Sequence, residues 1–234
     1  GSSEEAKRIY QDILEKFPKN KKAQQGLSAI DSSPPPGVEQ DPPQATVNQL
    51  IALYNQGQLD AVVNQAQALT ANYPNAFAVW NILGAASKGL GRLDQAVSAF
   101  KRVTEIKPNY AGGHNNFGTT LHDQGKLEEA LTAYTSALEI MERINHPNQG
   151  VPMVNIAVLS IESGELEQAE ALIRKARERF VHQNWLPNLA VTHLLYLTIL
   201  ASKQSWKRWD NYFDAAAGIL KETHYVDSEV ALFA

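Results

Sequence analysis

Residues that could catalyse a reaction or bind a metal are thinly spread along this chain of 234 residues. Cysteine is absent, which excludes disulfides, thiolate metal sites and cysteine nucleophiles. None of the six histidines has a second histidine four residues away, or an adjacent acidic cluster, as a metal site on a helix requires. No segment has the sequence context of the strained turn that carries a nucleophilic serine. We therefore predict a non-catalytic chain with no metal and no cofactor.

Two short segments could still be binding motifs. The Gly-Leu-Gly of residues 89–91 suggests a nucleotide loop, but residues 77–88 have helical spacing, whereas a dinucleotide loop follows a strand. The charged run RKARER, residues 174–179, could bind a phosphate or an acidic partner. Its helical context favours a solvated face instead, with Ile173, Ala176 and Phe180 buried beneath it. Neither segment is predicted to be a site.

Composition excludes two further classes of protein. A formal net charge of −4 gives no general attraction to the phosphates of nucleic acid. No apolar run approaches the roughly 20 residues that a membrane-spanning helix needs. We therefore expect neither a nucleic-acid partner nor membrane insertion. We expect the protein in the cytoplasm, and the lack of cysteine is equally compatible with the periplasm.

The chain repeats itself with a period of 34 residues over three consecutive units. Each unit has a glycine, a small or branched residue five positions later, and a further core residue four positions after that. Such a period is the signature of a repeat architecture in which each unit packs on its neighbours. The three sets are Gly57, Val62 and Ala66; Gly91, Ala96 and Phe100; and Gly125, Ala130 and Tyr134.

Each unit is predicted to be a helical hairpin. Apolar residues recur at helical spacing on both sides of the short segments GQLD, GRLD and GKLE, and Pro74 and Pro108 end the second helices. The order Trp80, Leu83-Gly84, Gly91, Ala96, Phe100, Pro108 resembles the tetratricopeptide repeat. This resemblance implies an all-α fold, a right-handed superhelical solenoid of antiparallel helical hairpins.

The pattern divides the chain into segments. Residues 150–184 repeat the preceding unit at an offset of 39, and residues 185–221 form a degenerate unit. Trp209 stands there in place of Ala169, so we expect that hairpin to pack differently. Both ends resemble interrupted repeats, and we expect the chain to come from a longer repeat protein. The predicted segments are partial repeat helices at 1–31, a proline-rich linker at 32–42, repeats at 43–76, 77–110 and 111–144, repeat-like units at 150–184 and 185–221, and the start of a further helix at 222–234.

Polar residues on the predicted first helices indicate a peptide groove, because first helices line the concave face of tetratricopeptide arrays. Asn48, Asn116 and Asn155 occupy equivalent positions, and Ile82 interrupts the row. The row resembles the asparagine ladder in the repeats of O-linked N-acetylglucosamine transferases, which holds extended peptides by their backbone. An amide suits this task because it both donates and accepts hydrogen bonds. The predicted groove residues are Asn48, Asn81, Lys88, Asn115, Asn116, Thr119, His122 and Asn155.

Two functions are compatible with this pattern. The first is a scaffold that binds peptide or protein segments in the groove. The second is the recognition arm of a larger enzyme, a glycosyltransferase, sulfotransferase or oxygenase, whose catalytic domain lies outside this chain.

The sequence of the N-terminal helices predicts a contact with another surface. A stripe of apolar residues on the first N-terminal helix needs a covering surface, so we predict that it docks elsewhere and can join two chains into a homodimer. The stripe consists of Ile9, Tyr10, Ile13, Leu14 and Phe17.

In the unit around residue 80, Trp80 is predicted to be a core residue of its hairpin.

Overall fold

The computed structural model describes residues 2–31, 41–205 and 209–222, and every regular element in these ranges is a helix. The chain divides into two compact units, Gly1–Val79 and Trp80–Ala234. Residues 32–40 of the predicted linker and residues 223–234 of the predicted final helix lie outside the described residues. Within the described ranges, no helix is both long and apolar enough to span a membrane.

The first unit contains two pairs of contacting helices, α1 with α2 and α3 with α4. In the first pair the ring of Tyr10 lies against Gly26, so closely that a Cβ at Gly26 would come within 2.4 Å of it. In the second pair the buried side chains include Leu50 and Val62. The four helices are α1 (Ser2–Lys16), α2 (Lys21–Asp31), α3 (Gln44–Asn55) and α4 (Leu59–Asn72).

The second unit contains the remaining helices, and the first of them, α5, begins shortly before the boundary between the units. Consecutive helices from α6 to α12 contact one another in chain order, with a short 3₁₀ helix at Pro147–Gln149 between α8 and α9. The helices are α5 (Phe77–Gly89), α6 (Leu93–Ile106), α7 (Ala111–Asp123), α8 (Leu127–Arg143), α9 (Gly150–Glu162), α10 (Leu166–His182), α11 (Leu186–Ser202) and α12 (Trp209–Glu222).

The Gly-Leu-Gly segment is the turn between α5 and α6. Gly91 has a φ of +70°, which a side chain would strain, and its position just after the helix gives it the role of a left-handed cap. The N–H of Arg92 donates to the carbonyl of Ser87 at 2.8 Å, which satisfies one of the last carbonyls of α5. Gly125 repeats this geometry between α7 and α8, with a φ of +74°. The prediction of a helical turn, rather than a nucleotide loop, is confirmed.

Small residues allow the two helices of each hairpin to approach closely. The alanines Ala96, Ala130 and Ala169 are fully buried at equivalent positions of α6, α8 and α10. Gly118 of α7 lies beneath the ring of Tyr134 on α8, and a Cβ at this glycine would lie 2.7 Å from the ring. These contacts follow from the repeated pattern of glycine, alanine and aromatic residues along the chain.

The last hairpin, α11 with α12, accommodates its large residues by packing them against the preceding hairpin. Trp209 is half-buried against a core cluster that includes Ala169, Ile173 and Ile199. Tyr196 of α11 stacks on Tyr212 of α12, with 4.3 Å between ring centroids. Aromatic contacts therefore replace the alanine contact of the earlier hairpins.

Trp80 and the apolar stripe near the N-terminus are not part of the fully buried core. Trp80 is only half-buried, so the prediction that it is a core residue was wrong; Phe100 of the partner helix, at 1% exposure, is the buried aromatic residue of this hairpin. In α1, Tyr10, Ile13 and Leu14 are half-buried, whereas Ile9 is 54% exposed, and Phe17, directly after the helix, is 64% exposed. Docking of this stripe on another surface stays a prediction.

Candidate peptide-binding surface

Side-chain amides link the first helices of the second unit in two places. On α7, Asn116 donates from Nδ2 to Oδ1 of Asn81 on α5, at 3.3 Å. On α9, Asn155 donates from Nδ2 to Oδ1 of Asn115 on α7, at 2.8 Å. All four residues are half-buried. The asparagines therefore form two rungs across three consecutive first helices, and Asn81 takes part although Ile82 holds the equivalent sequence position.

Two charged contacts join the same helices near their C-terminal ends. Lys88 of α5 lies 3.1 Å from a carboxylate oxygen of Asp123 on α7. His122 of α7 lies 3.0 Å, at Nε2, from both carboxylate oxygens of Glu162 on α9. Because an ionised carboxylate only accepts hydrogen bonds, Nε2 carries the proton of this contact. The four side chains are between 26% and 41% exposed, so they lie at the surface.

The four contacts follow one spacing rule. Between α5 and α7 both pairs are separated by 35 residues, Asn81 with Asn116 and Lys88 with Asp123. Between α7 and α9 the amide pair and the His122–Glu162 pair are both separated by 40 residues. Successive repeat units are offset by 34 residues and, across the inserted loop, by 39 residues. Each contact therefore joins residues one position further apart than equivalent positions of the repeat. On each helix the amide and the charged residue are seven positions apart, which is two turns or about 10 Å.

The asparagine rungs leave hydrogen-bonding groups for a ligand. Within the described part of the chain, the Nδ2 groups of Asn81 and Asn115 donate no hydrogen bond, and the Oδ1 atoms of Asn116 and Asn155 accept none. An amide nitrogen offers two hydrogens and an amide oxygen two lone pairs. Each rung therefore has one unused amide donor and one unused amide acceptor.

Thr119 has partners inside its own hairpin. Its hydroxyl donates to the carbonyl of Asn115 at 2.6 Å, and its side chain lies beside the phenol of Tyr134. Burial raises the pKa of Tyr134 to about 12, with a smaller opposite effect of Thr119 and further increases from the charges of Asp123 and Glu162. Thr119 thus contributes to the packing of α7 on α8.

Asn48 belongs to the first unit and is exposed on α3, where its Oδ1 accepts a hydrogen bond of 2.9 Å from Gln44. The structure thus places the other predicted groove residues in the second unit, six of them in contacts between first helices.

Sequence analysis missed Asp123 and Glu162, the acidic partners of Lys88 and His122. The signal that could have identified them is the spacing rule itself, because a shift of one residue beyond the repeat offset aligns both charged pairs. Within the described ranges, no group of three or more histidine, aspartate or glutamate residues is arranged to hold a metal ion.

Several solved structures share this fold. PilF of Pseudomonas aeruginosa is 14% identical, with a TM-score of 0.64 over 79% of this chain and 86% of that chain. MamA from Desulfovibrio magneticus RS-1 is 15% identical, with a TM-score of 0.63 over 76% of this chain and 95% of that chain. The TPR-like repeats of a putative kinesin light chain from Podosopora anserina are 14% identical, with a TM-score of 0.62 over 77% and 95%. At these identities the likeness concerns the fold, an all-α helical repeat solenoid.

Sequence comparison identifies the family. No curated protein matches the chain. Two family models, both described as tetratricopeptide repeat, match residues 47–111 and residues 110–180. Together they span residues 47–180, which is more than half of the 234 residues. The finer resemblance to the repeats of O-linked N-acetylglucosamine transferases stays a prediction. The chain belongs to the tetratricopeptide repeat family.

Proposed function

We propose that this protein is a non-catalytic scaffold that binds an extended peptide segment along α5, α7 and α9. Membership in the tetratricopeptide repeat family supports a role in protein–protein interaction in general. The observation that carries the finer proposal is the set of unused amide donors and acceptors on Asn81, Asn115, Asn116 and Asn155. A peptide group presents one donor and one acceptor whatever its side chain, so this row would bind many sequences.

The charged pairs would contribute orientation and selectivity. Lys88–Asp123 and His122–Glu162 lie two helical turns from the amides, and each pair combines a basic with an acidic group. Exposed pairs of this kind add little stability, about 0–1 kcal/mol. Their groups are therefore available to exchange partners with the side chains or the termini of a bound segment.

A peptide-binding titration of two double variants tests the proposal. Asn116→Ala with Asn155→Ala removes one amide from each rung. The control, Asn64→Ala with Asn211→Ala, removes two exposed asparagines from the second helices α4 and α12. The probe is a fluorescein-labelled library of unstructured 15-residue peptides, and fluorescence anisotropy gives the affinity.

We expect the Asn116/Asn155 variant to bind several-fold to tens-of-fold more weakly than the wild type. Each lost hydrogen bond contributes about 0.5–1.5 kcal/mol. The melting temperature should fall by only a few degrees, because each rung contributes about 0.5–1 kcal/mol to stability. The control variant should retain wild-type affinity. Equal affinities for both variants would show that the rungs only join helices, and the binding surface would then have to lie elsewhere.

We also propose that α1 can join two copies of the chain. The support is the exposure of Ile9 on α1 and of Phe17 directly after it, whereas the other apolar residues of the stripe are half-buried. Ile9→Ser with Phe17→Ser should shift the sedimentation of the protein from dimer towards monomer. The control, Lys7→Ser with Lys16→Ser, changes polar positions of the same helix and should leave sedimentation unaltered. A wild-type protein that is monomeric at all concentrations would contradict this proposal.

A further inference from the structure

A cleft of about 380 Å³ lies between α10, α11 and α12, away from the asparagine rungs. Its walls come from three helices of two successive hairpins, so it exists only in the folded stack. The side chains that line it combine charged, hydroxyl-bearing and aromatic groups. They are Glu170, Ile173, Arg174, Arg177, Thr192, Tyr196 and Tyr212.

The two arginines of the cleft have no compensating contact. Neither Arg174 nor Arg177 forms a hydrogen bond or an ion pair with another residue in the described ranges. The arginines Arg102 and Arg143 differ, because they bind Glu105 and Asn109 respectively. Arg174 and Arg177 are three positions apart on α10, a spacing at which like charges on a helix disfavour each other.

The one carboxylate in the cleft is already engaged. Glu170 accepts a hydrogen bond of 2.6 Å from the hydroxyl of Tyr196. Its second oxygen lies 3.1 Å from Nζ of Lys203, which also binds Glu167. Lys203 is shared by Glu167 and Glu170, so it offsets only part of the charge of Glu170, and the two arginines leave the cleft with a net positive charge.

A buried imidazole lies close to two of the residues that line the cleft, Arg177 and Tyr212. His193 follows Thr192 on α11, is 6% exposed, and its ring centroid lies 5.7 Å from that of Tyr212. Its Nδ1 has no hydrogen-bond partner among the described residues. Burial lowers the pKa of His193, and the positive charge of Arg177 lowers it further. A buried polar atom without a partner requires an explanation, and a ligand in the neighbouring cleft would supply one.

We propose that this cleft binds an oxyanion, either a carboxylate or a phosphate, carried by a side chain of a protein partner. Arginine presents a planar fork of N–H donors that matches both groups, and Arg174 and Arg177 are exposed, so a side chain of a partner can reach them. Aromatic rings of Tyr196 and Tyr212 would cover the aliphatic part of the bound side chain. The site is independent of the asparagine rungs, so each proposal can fail without the other.

The experiment uses the whole chain labelled with ¹⁵N and three acetylated pentapeptides that differ only in the central residue, which is glutamate, phosphoserine or glutamine. We expect the glutamate and phosphoserine peptides to shift the amide signals of Thr192, His193 and Tyr196. The glutamine peptide should leave them unchanged. Equal shifts with the glutamine peptide would overturn the proposal.

Two charge-matched variants separate the cleft from general electrostatic attraction. Arg174→Gln with Arg177→Gln should weaken binding at least tenfold. Lys175→Gln with Arg179→Gln removes the same charge from equally exposed positions of the same helix that do not line the cleft, and should weaken binding no more than about twofold. Equal losses in both variants would overturn the proposal. Inorganic phosphate is the remaining probe: if it binds as tightly as the phosphoserine peptide, the assignment to a protein partner is wrong.

Discussion

Asn116 on α7 hydrogen-bonds Asn81 on α5 across 35 residues of sequence, at 3.3 Å between amide nitrogen and amide oxygen. The contact joins the first helices of two successive hairpins directly, although α6 lies between them in the sequence. The asparagine row therefore contributes to the stacking of the repeats and also offers groups to a ligand.

A double-mutant cycle on this pair measures its contribution to stability. We expect Asn81→Ala and Asn116→Ala to show a coupling energy of about 0.5–1 kcal/mol in urea denaturation, because the two amides share one hydrogen bond. The control cycle combines Asn81→Ala with Asn155→Ala, which share no hydrogen bond. Its coupling should be near zero. Equal coupling in both cycles would argue against a direct contact.

Gly118 and Gly218 provide a matched pair of helical glycines. A Cβ at Gly118 would meet the ring of Tyr134 at 2.7 Å, whereas a Cβ at Gly218 has open space. Gly118→Ala should lower the free energy of unfolding by about 1–3 kcal/mol through overpacking. Gly218→Ala should raise it by about 0.5–1 kcal/mol, because alanine favours the helix. Thermal denaturation of both variants is the measurement, and stabilisation by Gly118→Ala would contradict the close packing of α7 on α8.

Phe100 and Trp80 should differ in their contribution to stability. Phe100 is 1% exposed, and Phe100→Ala should lower the free energy of unfolding by about 3–5 kcal/mol. Trp80 is half-buried, so Trp80→Ala should cost less, about 1–3 kcal/mol, although tryptophan is the larger residue. Chemical denaturation followed by circular dichroism compares the two. A larger loss for Trp80→Ala would mean that the tryptophan is a core residue after all.

His193 should make stability depend on pH. Its pKa in the folded protein lies below the usual 6.5, because burial and the charge of Arg177 disfavour the protonated ring. As the pH falls below about 6.5, the unfolded chain takes up a proton that the folded chain does not, so stability decreases. When the pH is lowered from about 7.5 to about 5.5, which spans the ordinary histidine pKa of about 6.5, His193→Gln should lose less stability than the wild type.

The exposed His182 of α10 supplies the control for that measurement. His182→Gln should retain the wild-type dependence on pH in urea denaturation. If His193→Gln also retained it in full, the imidazole would not be the group responsible.

The repeated residues determined the hairpins. Glycine at position 91 or 125 admits the left-handed turn, and alanine at position 96, 130 or 169 permits close helices, so local constraints were sufficient to predict the all-α repeat fold. The same pattern identified most members of the polar row, since equivalent positions of successive units lie on equivalent faces.

Tertiary structure decided which side chains meet. A sequence period aligns equivalent positions but does not fix the rotation of one hairpin on the next, which depends on how the side chains between them pack. That rotation pairs Asn116 with Asn81, one residue beyond the repeat offset, and gives Lys88 and His122 their acidic partners. The same dependence on packing applies to Arg174 and Arg177. Helical spacing places both on an exposed face of α10, and they border a cleft because α11 and α12 supply its other walls. The degenerate sequence of that last hairpin does not predict how it packs on α10.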